Sequence, residues 1–559
     1  MMAAGMQSME RRWAVLAVVL SAPILAYAGW ILRGFVQDDA LIYLRVARIF
    51  LDHGNLGYNP EVRVEAFTGF FWQWLCIATL WADGPPLTVL KMVSLMFGLG
   101  SQWFLFRTAF RILKHPLWAL AIPLIFAAYP PRVLWITSGL ETEAFIFSVI
   151  WGAWMFLQAI EVPSPRSFWK AAPAFAFMVL NRPEAPILMA AAFLAMLSEA
   201  RLRQAQYFLA LLGLPIALYL ILLLFRLSYF GLPFPNTFYA KEAGGIWLMK
   251  RGYYALKGFG QKNFNIFYSV FALMGWVYLW RDEKERGLPV FLAGWCLLFG
   301  LHFARSGGDL MPEERLLLPM APAMLVSAGV FVKFLYDFLR QVVEDFHGSL
   351  FFRLAPGLLF AGLLGGIGFW YFQKYPRAFG GHNEVLEALE LCHADAGKIM
   401  QARARPGDKA VVTDAGMTAW VAPNVYFIDF LGLGDTTTSH IFYRNKFNPW
   451  AYEYCFWYPA CDQAKKNTEK EFLAYFLREK PRWVVCNMIP GENTPAQSAL
   501  REAVQNPPDT ISPEMAQNII MWQYFSVFSV DSIRLRYQPI KAYEYNPNYF
   551  LMLVEKRPL

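Results

Sequence analysis

Hydrophobic and polar positions along the chain fall into long apolar blocks separated by short polar loops. A bilayer-spanning helix takes about 20 apolar residues. Blocks of that kind are predicted at 13–32, 87–107, 117–136, 142–160, 168–181, 184–199, 207–228, 264–280, 288–304, 315–336 and 353–372, eleven in all. The segment "FTGFFWQWLCIATLWADG", Phe67 to Gly84, is apolar too but carries Trp72, Trp74 and Trp81. Tryptophan favours the membrane interface, so this segment is read as a helix on the outer surface, not as a further crossing. After residue 372 the pattern changes. "EVLEALELCHADAGKIMQAR" and "EFLAYFLREK" have helical period, whereas "KAVVTDAG", "NVYFIDFLGLGD", "RWVVCNMI" and "NYFLMLVEK" read as strands. Strands alternating with helices predict an α/β sheet. The expected fold class is a polytopic α-helical membrane protein of eleven spans with a C-terminal extracytoplasmic α/β domain. The membrane module covers 1–372, with a first outer loop at 33–86 carrying juxtamembrane helices, and the soluble domain covers 373–559. Gln373 to Asn383 resembles a linker.

Composition agrees with this picture. Of 559 residues, 57% are hydrophobic and 16% charged, against about 25% charged in soluble domains. The net charge of +8 is explained by basic loops on one side of the membrane: Arg11/Arg12, Arg107/Arg111/Lys114, Arg166/Lys170, Arg201/Arg203, the Arg281–Arg286 cluster, and Arg340 with Arg353. That side is the cytoplasm by the positive-inside rule, which sends the C-terminal domain outward and predicts a bacterial inner membrane protein. The first apolar block lacks a small-residue cleavage site and reads as a retained anchor. The basic residues are scattered among apolar runs, so membrane lipids and not nucleic acid are the expected surroundings. Six cysteines show no zinc spacing; Cys455–Cys461 as a disulfide and free thiols both stay open.

With this topology the unusual polar stretches share the outer side: Asp38-Asp39, "RVEAFTG", "TSGLETE", "NRPEA", "LPFPNTFYAK" and "HFARSGGDLMPEER". The acid pair can offset a helix macrodipole, act as a general base, or offer oxygen ligands to a divalent cation such as Mg, Mn or Ca. Arg45, two turns along, is expected to keep the pair ionised. Arg182, Lys241, Arg305 and Arg315 sit at outer span ends, where they serve as snorkelling anchors or as a phosphate clamp. "GGIG" at Gly365–Gly368 lies within an apolar block and lacks the Lys-Ser/Thr of a nucleotide loop, so no nucleotide cofactor is expected.

These stretches, in this order, resemble the GT-C glycosyltransferases that use polyprenyl-phosphate sugars, in particular the family around the mycobacterial terminal arabinofuranosyltransferase. Asp38 to Arg45 matches its D-D-A-x-I-x-x-R motif, and "GNLGYNPEVRVEAFTG" follows a second family run with departures at Ala66 and Gly69. Ser138–Thr142, Arg182–Glu184, Pro235–Lys241, Gly307–Met311 (with Leu310 for Trp) and Asp429–Asp435 match further signals. The resemblance implies a conserved helical module, a lipid-phosphate sugar donor and transfer of a sugar, arabinofuranose in the first instance. The acceptor would be an extracytoplasmic envelope glycan, lipid-linked glycan or secreted protein. An outward-facing site has no supply of nucleotide sugars, which independently calls for a lipid carrier. Asp38 or Asp39 would be the base, Arg182, Lys241, Arg305 and Arg315 would hold the donor phosphate, and Glu141, Asn236, Tyr239, His302 and Asp309 would contact sugar or acceptor. The alternative is a transporter or lipid flippase with an extracytoplasmic sensor domain; the scarcity of charge in mid-span counts against it.

Overall fold

The computed structural model describes residues 2–242, 245–263, 265–282, 286–309, 311, 313–345, 366, 373, 390–454, 458–488, 494–513, 515, 531–546 and 549–558. Helices fill most of the first 345 residues: α1 Met2–Ile31, α2 Asp38–His53, α3 Phe70–Trp81, α4 Pro86–Leu113, α5 Pro116–Ala128, α6 Pro130–Ile136, α7 Thr142–Glu161, α8 Pro165–Asn181, α9 Ala185–Ser198, α10 Ala205–Tyr229, α11 Asn236–Lys241, α12 Gly245–Gln261, α13 Asn265–Asp282, α14 Gly287–Arg305 and α15 Ala321–Asp345. Among the described residues, six helical stretches are long and apolar enough to cross a bilayer: Ser8–Ile31, Pro86–Leu113, Thr142–Glu161, Ala205–Tyr229, Gly287–Arg305 and Arg315–Val342. A seventh arises if α5 and α6, bent by 59° at Tyr129, form one broken span. The expected spans at 168–181, 184–199 and 264–280 coincide with α8, α9 and α13, which do not meet that measure alone. The block at 353–372, most of "GGIG" and most of the 373–383 linker lie outside the described residues. The chain is thus a polytopic helical membrane protein. Helix α3, at 12 residues, is about 18 Å long and too short to cross about 30 Å of hydrocarbon.

The chain groups into two compact units: Met1–Arg33, Leu90–Leu222 and Gly252–Gly381 form the first, and Gly34–Val89, Leu223–Arg251 and His382–Leu559 the second. The sequence places 33–86 with the membrane helices and sets a boundary at 372/373. The contacts group 34–89 and 223–251 with the C-terminal segment.

In the first unit, antiparallel and neighbouring helices pack through small residues. A Cβ on Gly275 of α13 would lie 2.0 Å from the Ser327 carbonyl of α15, so only glycine permits that approach. Trp276 Nε1 donates to Ser327 Oγ at 2.9 Å beside it. Near the start of α7, charge is buried. Arg132 and Glu143 form a forked ion pair at 3.0 Å with both side chains fully buried, and Arg132 also donates to the Gly98 carbonyl.

In the second unit, β1 Lys409–Val412, β2 Tyr426–Asp429, β3 Trp483–Met488, β4 Tyr537–Asn546 and β5 Tyr549–Lys556 form one sheet in the order β2-β1-β3-β5-β4. The β1–β2 and β1–β3 pairs are parallel, and β3–β5 and β4–β5 are antiparallel. Val411, Ile428, Val484, Met552 and Val554 point into a core shared with Phe472 and Phe476 of helix Pro459–Glu479. Four of the five strands lie in the predicted segments. Cys461, on that helix, is disulfide-bonded, while Cys455 lies outside the described residues. Cys76, Cys296, Cys392 and Cys486 are free thiols.

Candidate active site

Helix α2 begins at the acid pair, so both carboxylates stand in its first turn. Asp38 is not spent on its own helix. Its Oδ2 accepts the Gly416 N–H and its Oδ1 the Met417 N–H, both at 2.8 Å. Those amides belong to the turn that leaves β1 and enters the short helix Met417–Val421. A Cβ on Gly416 would lie 2.2 Å from both the Asp38 main-chain oxygen and its Oδ1. The φ of Gly416 is −87°, so glycine is needed here for space and not for backbone freedom.

Three further titratable groups surround Asp38. His393 is buried; its Nδ1 is 2.8 Å from Thr418 Oγ1 and its Nε2 3.3 Å from Asp414 Oδ2. Asp414 also accepts from Asn487 Nδ2 of β3. Burial pushes the Asp38 carboxyl up to about 7; Asp414 and Asp39 add to the rise, while His393 and the Met417 N–H oppose it. Burial also acts to raise Asp414, but hydrogen bonds from His393, Asn487 and Thr413 outweigh it and hold the acid below its ordinary value. Glu390 is driven well above the usual carboxylate range by burial and by Asp38 and Asp414. Two neighbouring carboxylates pushed apart in this way are a pattern of acid–base sites.

The sequence missed His393, Asp414 and Glu390. "ELCHADAG" reads as an amphipathic helix and "TDAG" as a turn. One signal was available: in parallel sheets, ligands gather beyond the carboxyl ends of strands, and Asp414 stands two residues after β1. The expectation for Arg45 is corrected. It does not ionise Asp38, whose carboxyl is raised. Arg45 is buried, donates to the carbonyls of Tyr58 (2.8 Å), Val425 (3.0 Å) and Ala419, and stacks on Tyr58 and Phe427.

The fold also engages other predicted residues of this unit. Asn236 is buried and fully engaged: its Nδ2 donates to the Gly432 and Leu433 carbonyls and its Oδ1 accepts from Ser439 Oγ. Asp429 and Asp435 hold their own loop. Asp429 accepts the Leu431 and Gly434 N–H, and Asp435 accepts the Thr438 N–H and the Tyr475 hydroxyl. Tyr239 packs in an aromatic cluster with His440 and Tyr443. The Lys241 carbonyl accepts from Asn448, which lines a cavity of about 310 Å³ with Trp247, Asn445, Lys446 and Phe447. Glu65 of "RVEAFTG" is buried in a forked pair with Arg226, with contacts of 2.8 to 3.0 Å.

In the first unit, Arg182 donates to Glu141 Oε1 at 2.6 Å and to both oxygens of Glu184 at 3.0 and 2.8 Å. One cation is thus shared by two carboxylates. His302 lies within electrostatic reach of Glu184. Arg182, Glu184, Thr142 and Arg315 line one cleft of about 10 Å³, room for a single water. Arg315 is buried on the Trp135 ring, and its Nε lies 3.9 Å from Asp309 Oδ2. Asp309 accepts the N–H groups of Met311 and Leu316. Arg305 is exposed at the end of α14.

A family model described as a domain of unknown function (DUF8728) matches residues 383–546. The chain is 28% identical over 387 residues to a terminal β-(1→2)-arabinofuranosyltransferase of Mycobacterium tuberculosis, covering 60% of this chain and 59% of that protein. It is 26% identical over 351 residues to the protein of the same name in Corynebacterium glutamicum, covering 55% and 49%. The matched regions therefore span about half to three-fifths of these relatives. Among solved structures, ArnT from Cupriavidus metallidurans bound to undecaprenyl phosphate aligns with a TM-score of 0.51 at 12% identity, over 97% of this chain and 98% of that one. The chain is thus similar in sequence to terminal arabinofuranosyltransferases over part of its length, and similar in fold to ArnT over nearly all of it.

Proposed function

We propose that this protein is a membrane glycosyltransferase that moves a sugar, arabinofuranose in the first instance, from a polyprenyl-phosphate donor to an extracytoplasmic glycan or protein acceptor. The observation that carries this reading is Asp38: a carboxyl pushed up to about 7 can take a proton from a hydroxyl at neutral pH. The relatives' names and the lipid phosphate bound by ArnT support it. The acceptor oxygen attacks the anomeric carbon as its proton passes to Asp38. The bond from that carbon to the phosphate oxygen breaks, and polyprenyl phosphate leaves with the electron pair. A phosphate leaving group needs no general acid, only positive charge. The cations proposed for that role from the sequence are Arg182, Lys241 and Arg305, with Arg315 in reserve. Tyr239 is the candidate for hydroxyl contacts, whereas Asn236 braces the loop at 432–433.

A divalent cation fits the acid pair poorly. Both oxygens of Asp38 already accept backbone N–H groups. Among the described residues, no three His, Cys, Asp or Glu side chains gather as ligands.

The proposed topology has eleven crossings, with 33–86 and 373–559 outside an inner membrane. A cysteine placed at exposed Glu61 should react with an impermeant maleimide from outside, and one at exposed Arg203 should not. The reverse labelling pattern defeats this sidedness. Activity is tested with purified protein in nanodiscs, labelled polyprenyl-phosphoryl arabinofuranose and an oligosaccharide acceptor. Transfer is expected, reduced about 10²–10⁴-fold by Asp38→Asn. Undiminished transfer by both Asp38→Asn and Asp39→Asn would overturn the assignment. The broken α5–α6 pair and the buried Arg132–Glu143 pair are features that transporters use. Movement of labelled donor across vesicles without sugar transfer would favour that second reading.

A further inference from the structure

We propose that His393 and Asp414 are positioning residues for Asp38, so that the segment matched by the family of unknown function completes the catalytic base. This rests on the reading of Asp38 as that base. Asp38 is held by two consecutive amides, those of Gly416 and Met417. The direction of its remaining lone pairs therefore follows the orientation of one turn. That turn is braced on both sides of the amides. Before them, Asp414 is tied to Asn487 on β3, inside the sheet. After them, Thr418 Oγ1 pairs with His393 Nδ1 at 2.8 Å and also approaches the His393 carbonyl at 3.3 Å. His393 closes the brace: its Nε2 faces Asp414 Oδ2 at 3.3 Å. A ring 1% exposed, with one nitrogen on a hydroxyl and the other facing a carboxylate, does more than fill space. It fixes two points of a turn only five residues long, 414–418. The Gly416 contact shows how little slack exists, since even a methyl group there would overlap Asp38. Side chains that support a reactive group must hold it within about half an ångström, and misplacement of about 1 Å costs about a hundredfold in rate.

The test uses the full chain in nanodiscs. His393→Ala and Asp414→Asn should each lower kcat by about a hundredfold, with KM for the lipid donor and the thermal midpoint near those of the wild type. His393→Asn, which keeps a polar atom near the Nδ1 position facing Thr418, should recover part of kcat. Wild-type kcat in both His393→Ala and Asp414→Asn overturns the proposal. A fall in kcat matched by loss of thermal stability, with no recovery in His393→Asn, also overturns it and leaves a packing role. If Asp38→Asn is inactive while His393→Ala is fully active, this inference fails and the base assignment stands. If Asp38→Asn is itself active, the base assignment fails and takes this inference with it.

Discussion

Asp38 and Asp39 are neighbours in sequence, yet the fold gives Asp38 a half-buried cradle of two amides and three titratable groups. Because a base works only when deprotonated, kcat should rise with pH through about 7 and level off above it. A pH–rate profile that stays flat from about pH 5 to 8 would remove Asp38 from that role. Gly416→Ala should also cripple transfer, by about a hundredfold, because its Cβ would need the space held by Asp38. Single-turnover rates on folded variant would show it. Charge alone does not reveal the partners of Arg182. Its basic character in "NRPEA" suggested a phosphate clamp, but Glu141 and Glu184 already share it. Glu65 and Arg226 are likewise locked together in the second unit, 161 residues apart. Glu65→Ala would leave a buried arginine unpaired and should cost about 3–5 kcal/mol, read as a lowered unfolding midpoint.

At the scale of elements, α2 and the sheet are joined by side chains that imitate backbone. Asn59 donates to the Phe427 carbonyl at 2.8 Å and accepts the Phe427 N–H at 2.9 Å, as a neighbouring strand would. It thereby pairs with β2, an edge strand whose outer side would otherwise be open. Arg45 reaches three carbonyls from the opposite direction. Arg45→Lys cannot span them with one ammonium and should cost about 2–3 kcal/mol. Thermal unfolding of the two proteins would measure the difference. The strands with apolar runs were legible because burial on both faces leaves a continuous hydrophobic signature. β4, "YQPIKAYEYN", was missed. It contains Pro539, and its pairing with β5 shifts register between Pro539 and Lys541 and again between Glu544 and Asn546. It lies at the sheet edge, where a proline is tolerated, and no local pattern reveals which strand will be an edge.

At the scale of the whole molecule, buried acids make stability depend on pH. Asp38, Glu65 and Asp429 all have carboxyls raised to about 7 by burial. Between the ordinary carboxylate values, 3.8 and 4.5, and about 7, the folded chain holds more protons than the unfolded one. Their stabilising contribution is thus fully present below about pH 4 and is lost as pH rises through about 7. Asp414 and Asp395 have lowered values and act in the opposite sense, but only as pH falls below their ordinary range. The unfolding midpoint in detergent should therefore be higher near pH 5.5 than near pH 8. Asp429→Asn, which is neutral at both, should reduce that difference; an unchanged difference would show that Asp429 does not contribute.

The sequence by itself determined that the chain is a polytopic helical membrane protein, and it located the short apolar helix α3, four strands of the sheet and the acid pair at the start of α2. These follow from the periodicity and length of apolar runs, which are local properties of a chain. Only the tertiary structure decided that Asp38 meets Gly416, 378 residues away. It likewise decided that Arg45 binds carbonyls, that Asn236 braces a loop, and that His393 and Asp414 stand beside the candidate base. The reason is physical. A carboxylate's proton affinity is set by the dielectric, donors and charges within a few ångströms of it, and those neighbours are chosen by packing, not by position along the chain.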